Sequence, residues 1–179
     1  MKSVALSFAA ALTLAATCSS LFADEPRVMR EDEVSVDTVV DQLAPKPVLK
    51  MRGIQKSSQP QQPASPPSLS IMITFKTNSS DLAPEAKKSL DIVGQALNSE
   101  KLGALKFDIE GHADPRGNHD YNLKLSQARA EAVRHYLSDK LEVKSERLSA
   151  IGKGDQEPFV RDNPADPRNR RVTFKTLVE

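Results

Sequence analysis

From Leu69 onward the apolar residues of this chain switch repeatedly between a two-residue and a helical period, and that alternation admits few folds. Leu69-Ser70-Ile71-Met72-Ile73-Thr74-Phe75 is apolar and β-branched, lies between Pro66-Pro67 and Asn78-Ser79-Ser80, and reads as a strand. Pro84 suits a first helical turn, after which Ala86, Leu90, Val93 and Leu97 recur on one face up to Asn98. Leu105 to Glu110 alternates as a second strand. From about Asn118 to Leu141, Leu125, Ala128, Ala132, Val133, Tyr136 and Leu137 keep helical register and predict the longest helix. Arg147 to Ile151 and Arg171 to Leu177 supply two further strands, separated by a Pro- and Asp-rich loop from Gly152 to Asn169. The order β-α-β-α-β-β predicts an α/β two-layer sandwich with the helices packed on one mixed sheet. Both crossovers predict parallel strand pairs, with the last strand antiparallel at an edge or the centre.

Upstream, Met1-Lys2, an apolar run from Val4 to Thr17 and small residues ahead of Asp24 follow the plan of a secretory signal peptide, assigned to residues 1–23. The run is short of the roughly 20 residues that span a bilayer. Leu14 stands four positions before Cys18, which departs from a lipoprotein signal, and a chain cleaved beyond Cys18 carries neither a disulfide nor a cysteine nucleophile. Residues 24–68 hold seven of the twelve prolines and read as a flexible linker, available to a cell-envelope protein partner. Within it, Val36, Val39, Val40 and Leu43 share a helical face, but a stretch this short reads as a frayed turn. Residues 69–179 are then the folded domain.

Lys2 is the only charge in the leader, so the remaining chain balances 24 basic against 24 acidic residues, which removes the electrostatic basis for nucleic-acid binding. Recognition has to be local. The loop Gly111-His112-Ala113-Asp114-Pro115-Arg116-Gly117 leaves a strand and enters the long helix, where binding groups converge in α/β folds. On that helix Asn122, Ser126 and Arg129 are spaced i, i+4, i+7 beside the apolar stripe. Asp114 and Arg129 facing each other across a shallow cleft, with Asn122 between them, suit a zwitterion: the carboxylate accepts an ammonium and the guanidinium forks onto a carboxylate. The same residues also fit a plainer reading, in which Asp114 caps a turn and Arg129 makes an exposed ion pair worth at most about 1 kcal/mol.

Gly111-His112-Ala113-Asp114, Gly117, Tyr121-Asn122, Leu125-Ser126, Ala128-Arg129-Ala130, Val133 and Asn169-Arg170-Arg171-Val172 resemble the OmpA-like peptidoglycan-binding domain. Ile73-x-Phe75 with Asn78 and Leu82, then Arg147-Leu148, Gly152-x-Gly154 and Pro158, follow in the family's order, so the resemblance covers about Leu69 to Leu177. It implies a periplasmic, non-catalytic module of the Gram-negative envelope that holds the diaminopimelate of the peptidoglycan stem peptide through Asp114 and Arg129. Asn78, Ala113, Asn122, Leu125 and Arg170 match positions lining that pocket. Two positions depart from the family pattern: Ala113 stands where Thr is usual, removing a hydroxyl hydrogen bond worth about 0.5–1.5 kcal/mol, and Lys76 stands where Asp is frequent. The alternative is an envelope protein-docking module that keeps the fold without wall binding.

His112, Asp114, His119 and Asp120 fall on one loop with no metal-motif spacing. Ser126 has no nucleophile elbow, and no phosphate cradle is present, so neither a cofactor nor an enzymatic activity is expected. Arg168, Arg170 and Arg171 form a basic cluster. The reading is that Arg170 or Arg171 meets stem-peptide carboxylates while the other pairs with Asp162 or Asp166.

Overall fold

The structure, a computed structural model, describes residues 27–46, 65–76 and 79–178. The leader at residues 1–23, the linker prolines from Pro47 to Pro63 and Asn78 lie outside the described residues.

The domain is a five-stranded mixed sheet with three helices. In chain order the elements are β1 (Val28–Met29), α1 (Val36–Leu43), β2 (Ser68–Ile71), α2 (Pro84–Leu97), β3 (Lys106–His112), α3 (His119–Leu141), β4 (Leu148–Gly154) and β5 (Val172–Leu177). The strands lie side by side as β1-β2-β5-β3-β4. Only one of the two crossovers therefore joins neighbours: β3 and β4 pair in parallel across α3, while β5 inserts between β2 and β3 and runs antiparallel to both. Of the two positions expected for the last strand, it takes the centre.

β2 ends at Ile71, short of the expected Phe75. Beyond it Ile73 stays buried, Ala83 N–H donates to the Thr74 carbonyl at 3.1 Å, and Phe75 bridges Leu82, so the chain has already turned back toward α2. Pro84 opens α2 at a position that needs no N–H, and Ala86, Leu90, Val93 and Leu97 bury fully. Their partners are Phe107 and Ile109 of β3 and Phe174 of β5, the inward residues of strands with period two.

The segment expected to be linker from its first residue is part of the fold over 27–46. β1 pairs in parallel with β2, Ser35 caps α1 by accepting the Thr38 N–H at 3.3 Å, and Val39 and Leu43 are fully buried. Thr176 Oγ1 donates to the Leu43 carbonyl at 2.7 Å, tying α1 to the central strand. An isolated eight-residue helix is marginal in water; burial of its valine and leucine face supplies what propensity does not.

α3 presents a different face from the one its apolar periodicity suggests. Its buried residues are Asn122, Ser126, Ala130, Val133 and Leu137, while Leu125, Ala128 and Ala132 are half-buried. The cause is close approach. A Cβ at Gly111 would overlap the Ser126 carbonyl, and one at Gly152 would come within 2.7 Å of the Gln127 nitrogen. The helix backbone thus rests on strand backbone, whose polar groups need hydrogen-bond partners rather than apolar cover. Ser126 Oγ accepts the Gly154 N–H at 2.8 Å. Gln127 accepts the Gly152 N–H at 2.5 Å and donates to the Ala150 carbonyl at 3.2 Å, which covers the open edge of β4.

Candidate ligand-binding site

The loop from Ala113 to Asn118 is held from three sides. Ala113 N–H donates to the Gly154 carbonyl at 2.8 Å, and Asn118 caps α3 by accepting the Tyr121 N–H at 2.9 Å. Asn122 reaches back from the first turn, its amide donating to the carbonyls of Asp114 at 3.2 Å and Arg116 at 3.1 Å and to Asp155 Oδ2 at 3.3 Å. Asn122 is only 6% exposed, so it is a clip on the loop rather than a group lying open between Asp114 and Arg129. Asp155 is in turn bonded by His119 Nδ1 at 2.5 Å. Burial works to raise the Asp155 carboxyl, but the bonds from His119 and Asn122 hold it below the ordinary carboxylate range.

With the loop fixed, Asp114 stands at the rim. Its Oδ1 accepts the Arg116 backbone N–H at 3.3 Å and Nε–H at 3.1 Å; its Oδ2 accepts Arg116 Nη2–H at 2.9 Å and Arg170 Nη1–H at 3.0 Å. The Arg116 bonds pull the carboxyl down, partial burial opposes them, and Arg170 adds to the fall. Asp114 is an anion at neutral pH.

Arg129 projects from α3 with its Nε–H on the Ser79 carbonyl at 3.3 Å and its guanidinium carbon 4.8 Å from the Phe75 ring centroid. Burial lowers its pKa, and the Arg170 charge lowers it further, while Tyr121 and Asp114 act in the opposite direction. Arg129 and Asp114 therefore sense each other's charge, yet among the described residues they form no ion pair together. Arg170 belongs to both, bonded to one and electrostatically coupled to the other.

Of the other expected site residues, Ala113 is buried, Leu125 is half-buried one turn before Arg129, and Asn78 lies outside the described residues. The basic cluster divides differently from the expectation. Asp166 is taken by Arg168 at 3.0 Å, Arg170 by Asp114, and Arg171 donates to the Glu157 carbonyl at 3.2 Å while lying over Phe159. Arg168 claims Asp166 because the Asp-Pro-Arg turn brings the two side chains together before any distant partner competes. Asn169, fully buried, holds the preceding loop by donating to the carbonyls of Val160, Asn163 and Pro164.

The sequence reading missed Arg116, Phe75 as a platform, and the His119–Asp155–Asn122 clasp. A signal existed for the first: Asp-Pro-Arg occurs twice, at 114–116 and 166–168, with the same pairing in both copies.

Behind the loop, Glu110, His112 and Glu157 bring ligand-type atoms within 4.8 Å of one another. A metal does not suit the place. Lys153 Nζ lies 3.4 Å from Glu110 and 3.1 Å from Glu157, Lys175 Nζ lies 2.7 Å from Glu110, and these ammonium groups already neutralise the carboxylates. His112 is pushed down to about 3, chiefly by burial and then by Arg171, Lys175 and Lys153, and is neutral at ordinary pH.

Comparison with known proteins agrees with this architecture. The sequence matches the OmpA family over residues 74–171. It is 36% identical over 103 residues to the peptidoglycan-associated lipoprotein of Pseudomonas aeruginosa, covering 56% of this chain and 59% of that protein. It is 32% identical over 134 residues to outer membrane protein A of Bordetella avium, covering 70% and 66%. The crystal structure of the peptidoglycan-associated lipoprotein from Burkholderia pseudomallei has a TM-score of 0.51 at 31% identity, covering 60% of this chain and 89% of that one. The chain thus spans about 60% of the length of the first curated relatives it matches.

Proposed function

The chain belongs to the OmpA family, and from that membership we propose that it is a non-catalytic anchor that binds peptidoglycan by gripping the diaminopimelate of the stem peptide. The observation that carries this reading is the disposition of Asp114 and Arg129. An anion and a cation stand on neighbouring elements, each held by other partners, coupled through space and not spent on each other. The free end of a diaminopimelate side chain carries an ammonium and a carboxylate on one carbon. Asp114 accepts the first. Arg129, lying over Phe75, presents its fork to the second, with Arg170 adding positive charge beside it.

The names of two relatives, peptidoglycan-associated lipoproteins, support the wall as target, and together with outer membrane protein A they place the domain in the periplasm at the cell envelope. Among the described residues no helix is long and apolar enough to cross a membrane. The segment 24–68, of which residues 27–46 are part of the fold, is where we place contact with an envelope protein partner.

The test is cosedimentation of the full chain with diaminopimelate-type peptidoglycan and with lysine-type peptidoglycan, which offers the ammonium without the adjoining carboxylate. The expected result is binding to the first, weaker binding to the second, and loss of binding in Asp114→Ala and Arg129→Ala with circular dichroism unchanged. Equal sedimentation of wild type and both variants would shift the case to protein docking.

A further inference from the structure

We propose that Arg116 is an internal competitor for the ligand's ammonium, occupying Asp114 in the free protein and leaving it when a zwitterion arrives, so that it lowers the affinity of the site for every ligand that brings an ammonium. The inference rests on the reading of Asp114 as the ammonium acceptor. An ionised carboxylate has about four lone-pair sites. Asp114 receives four N–H contacts: three from Arg116, through its backbone, Nε and Nη2, and one from Arg170 Nη1. No acceptor capacity is left, so an incoming ammonium binds only if a guanidinium withdraws.

Arg116 is the one that moves. Its side chain is 59% exposed, and among the described residues its side-chain hydrogen bonds run to Asp114. Arg170, at 42% exposed, is also coupled to Arg129, and its charge serves the ligand carboxylate if it stays. The closure of Arg116 is written into the local chain rather than into the site. In the second Asp-Pro-Arg, Arg168 donates to Asp166 from its backbone N at 2.9 Å, Nε at 3.0 Å and Nη2 at 3.0 Å, the same three bonds on the same two oxygens. Proline fixes the turn, and the arginine two residues on forks onto the aspartate.

Displacing Arg116 opposes every ligand that brings an ammonium, and only a ligand that also brings a carboxylate for Arg129 recovers the loss. The cost is the same for a bare amine and a zwitterion, so Arg116 sets how tightly either binds while the carboxylate contact at Arg129 separates them.

Calorimetric titration of the full chain tests this with a diaminopimelate muropeptide and its counterpart acetylated on the free amine. Arg116→Gln is expected to tighten the free-amine ligand by about two- to five-fold, the worth of an exposed ion pair, and to leave the acetylated ligand unchanged. Arg116→Gln that weakens the free-amine ligand, leaves it unchanged, or tightens both ligands equally overturns the inference while the wall-binding reading stands. No binding by wild type removes the reading and the inference with it. Far-ultraviolet circular dichroism and the melting temperature establish that the Arg116 variant is folded.

Discussion

The guanidinium of Arg129 lies over the ring of Phe75, 4.8 Å from its centroid, so the cation offered to a ligand rests against an aromatic plate. Phe75→Leu keeps an apolar side chain of similar bulk and removes the π face. A partly desolvated cation–π contact is worth about 0.5–2 kcal/mol, and a two- to thirty-fold loss of affinity for the diaminopimelate muropeptide is expected by calorimetry. Unchanged affinity in a folded variant would show that Arg129 needs no platform.

Asn122 supplies the amide on which the Asp114 and Arg116 carbonyls and Asp155 depend. Asn122→Asp has no donor when ionised and faces two carbonyls and a carboxylate, so it is expected to be worse than Asn122→Ala. Leaving these part-buried carbonyls without the amide costs about 1 kcal/mol for the alanine variant. Chemical denaturation measures both. Hydrogen exchange at the amides of Ala113, Asp114, Arg116 and Gly117 is expected to accelerate ahead of that of α3.

His112 carries a pH prediction with a definite sign. Its folded-state pKa is about 3, below the roughly 6.5 of an unfolded histidine. Between those values the unfolded chain binds the extra proton. The stability contribution is therefore complete above about pH 6.5 and is lost as the pH falls toward 3. Several kcal/mol are at stake, at about 1.4 kcal/mol per pH unit. His112→Gln is expected to flatten the dependence of denaturation midpoint on pH across that window. An unaltered slope would exclude His112 as its source.

Arg147 is buried with Nε–H on the Leu105 carbonyl at 2.8 Å and Nη2–H on those of Leu97 and Leu102 at 2.9 and 2.8 Å. It closes the C-terminal end of α2, where carbonyls lack helical partners. Arg147→Met fills the space without donors and is expected to destabilise the domain by about 2–5 kcal/mol. Arg147→Lys, with one compact ammonium in place of a fork, recovers part of that. Muropeptide affinity measured well below the melting temperature is expected to be unchanged in both, because Arg147 lies outside the ligand site.

What the sequence determined by itself was local. Period-two and period-3.6 runs placed β2, α2, β3, α3, β4 and β5 within a few residues of where they lie, because each element's apolar spacing records the face it buries. The same logic placed Asp114 on the loop after β3 and Arg129 on the third turn of α3, since a strand–loop–helix junction fixes those positions without knowledge of the rest. The tertiary structure decided what depends on distant partners. β5 reaches the sheet centre because pairing with both β2 and β3 satisfies its backbone on two sides, which its own residues do not announce. Val39 and Leu43 make α1 a helix only where α2, β2 and β5 wait to cover them. Gly111 and Gly152 turned the polar side of α3 inward by letting backbone meet backbone, which set Asn122 and Ser126 to hydrogen-bond the loop after β3 and the end of β4. Saturation of Asp114 by Arg116 and Arg170 likewise required coordinates, since the second of those arginines comes from 56 residues away.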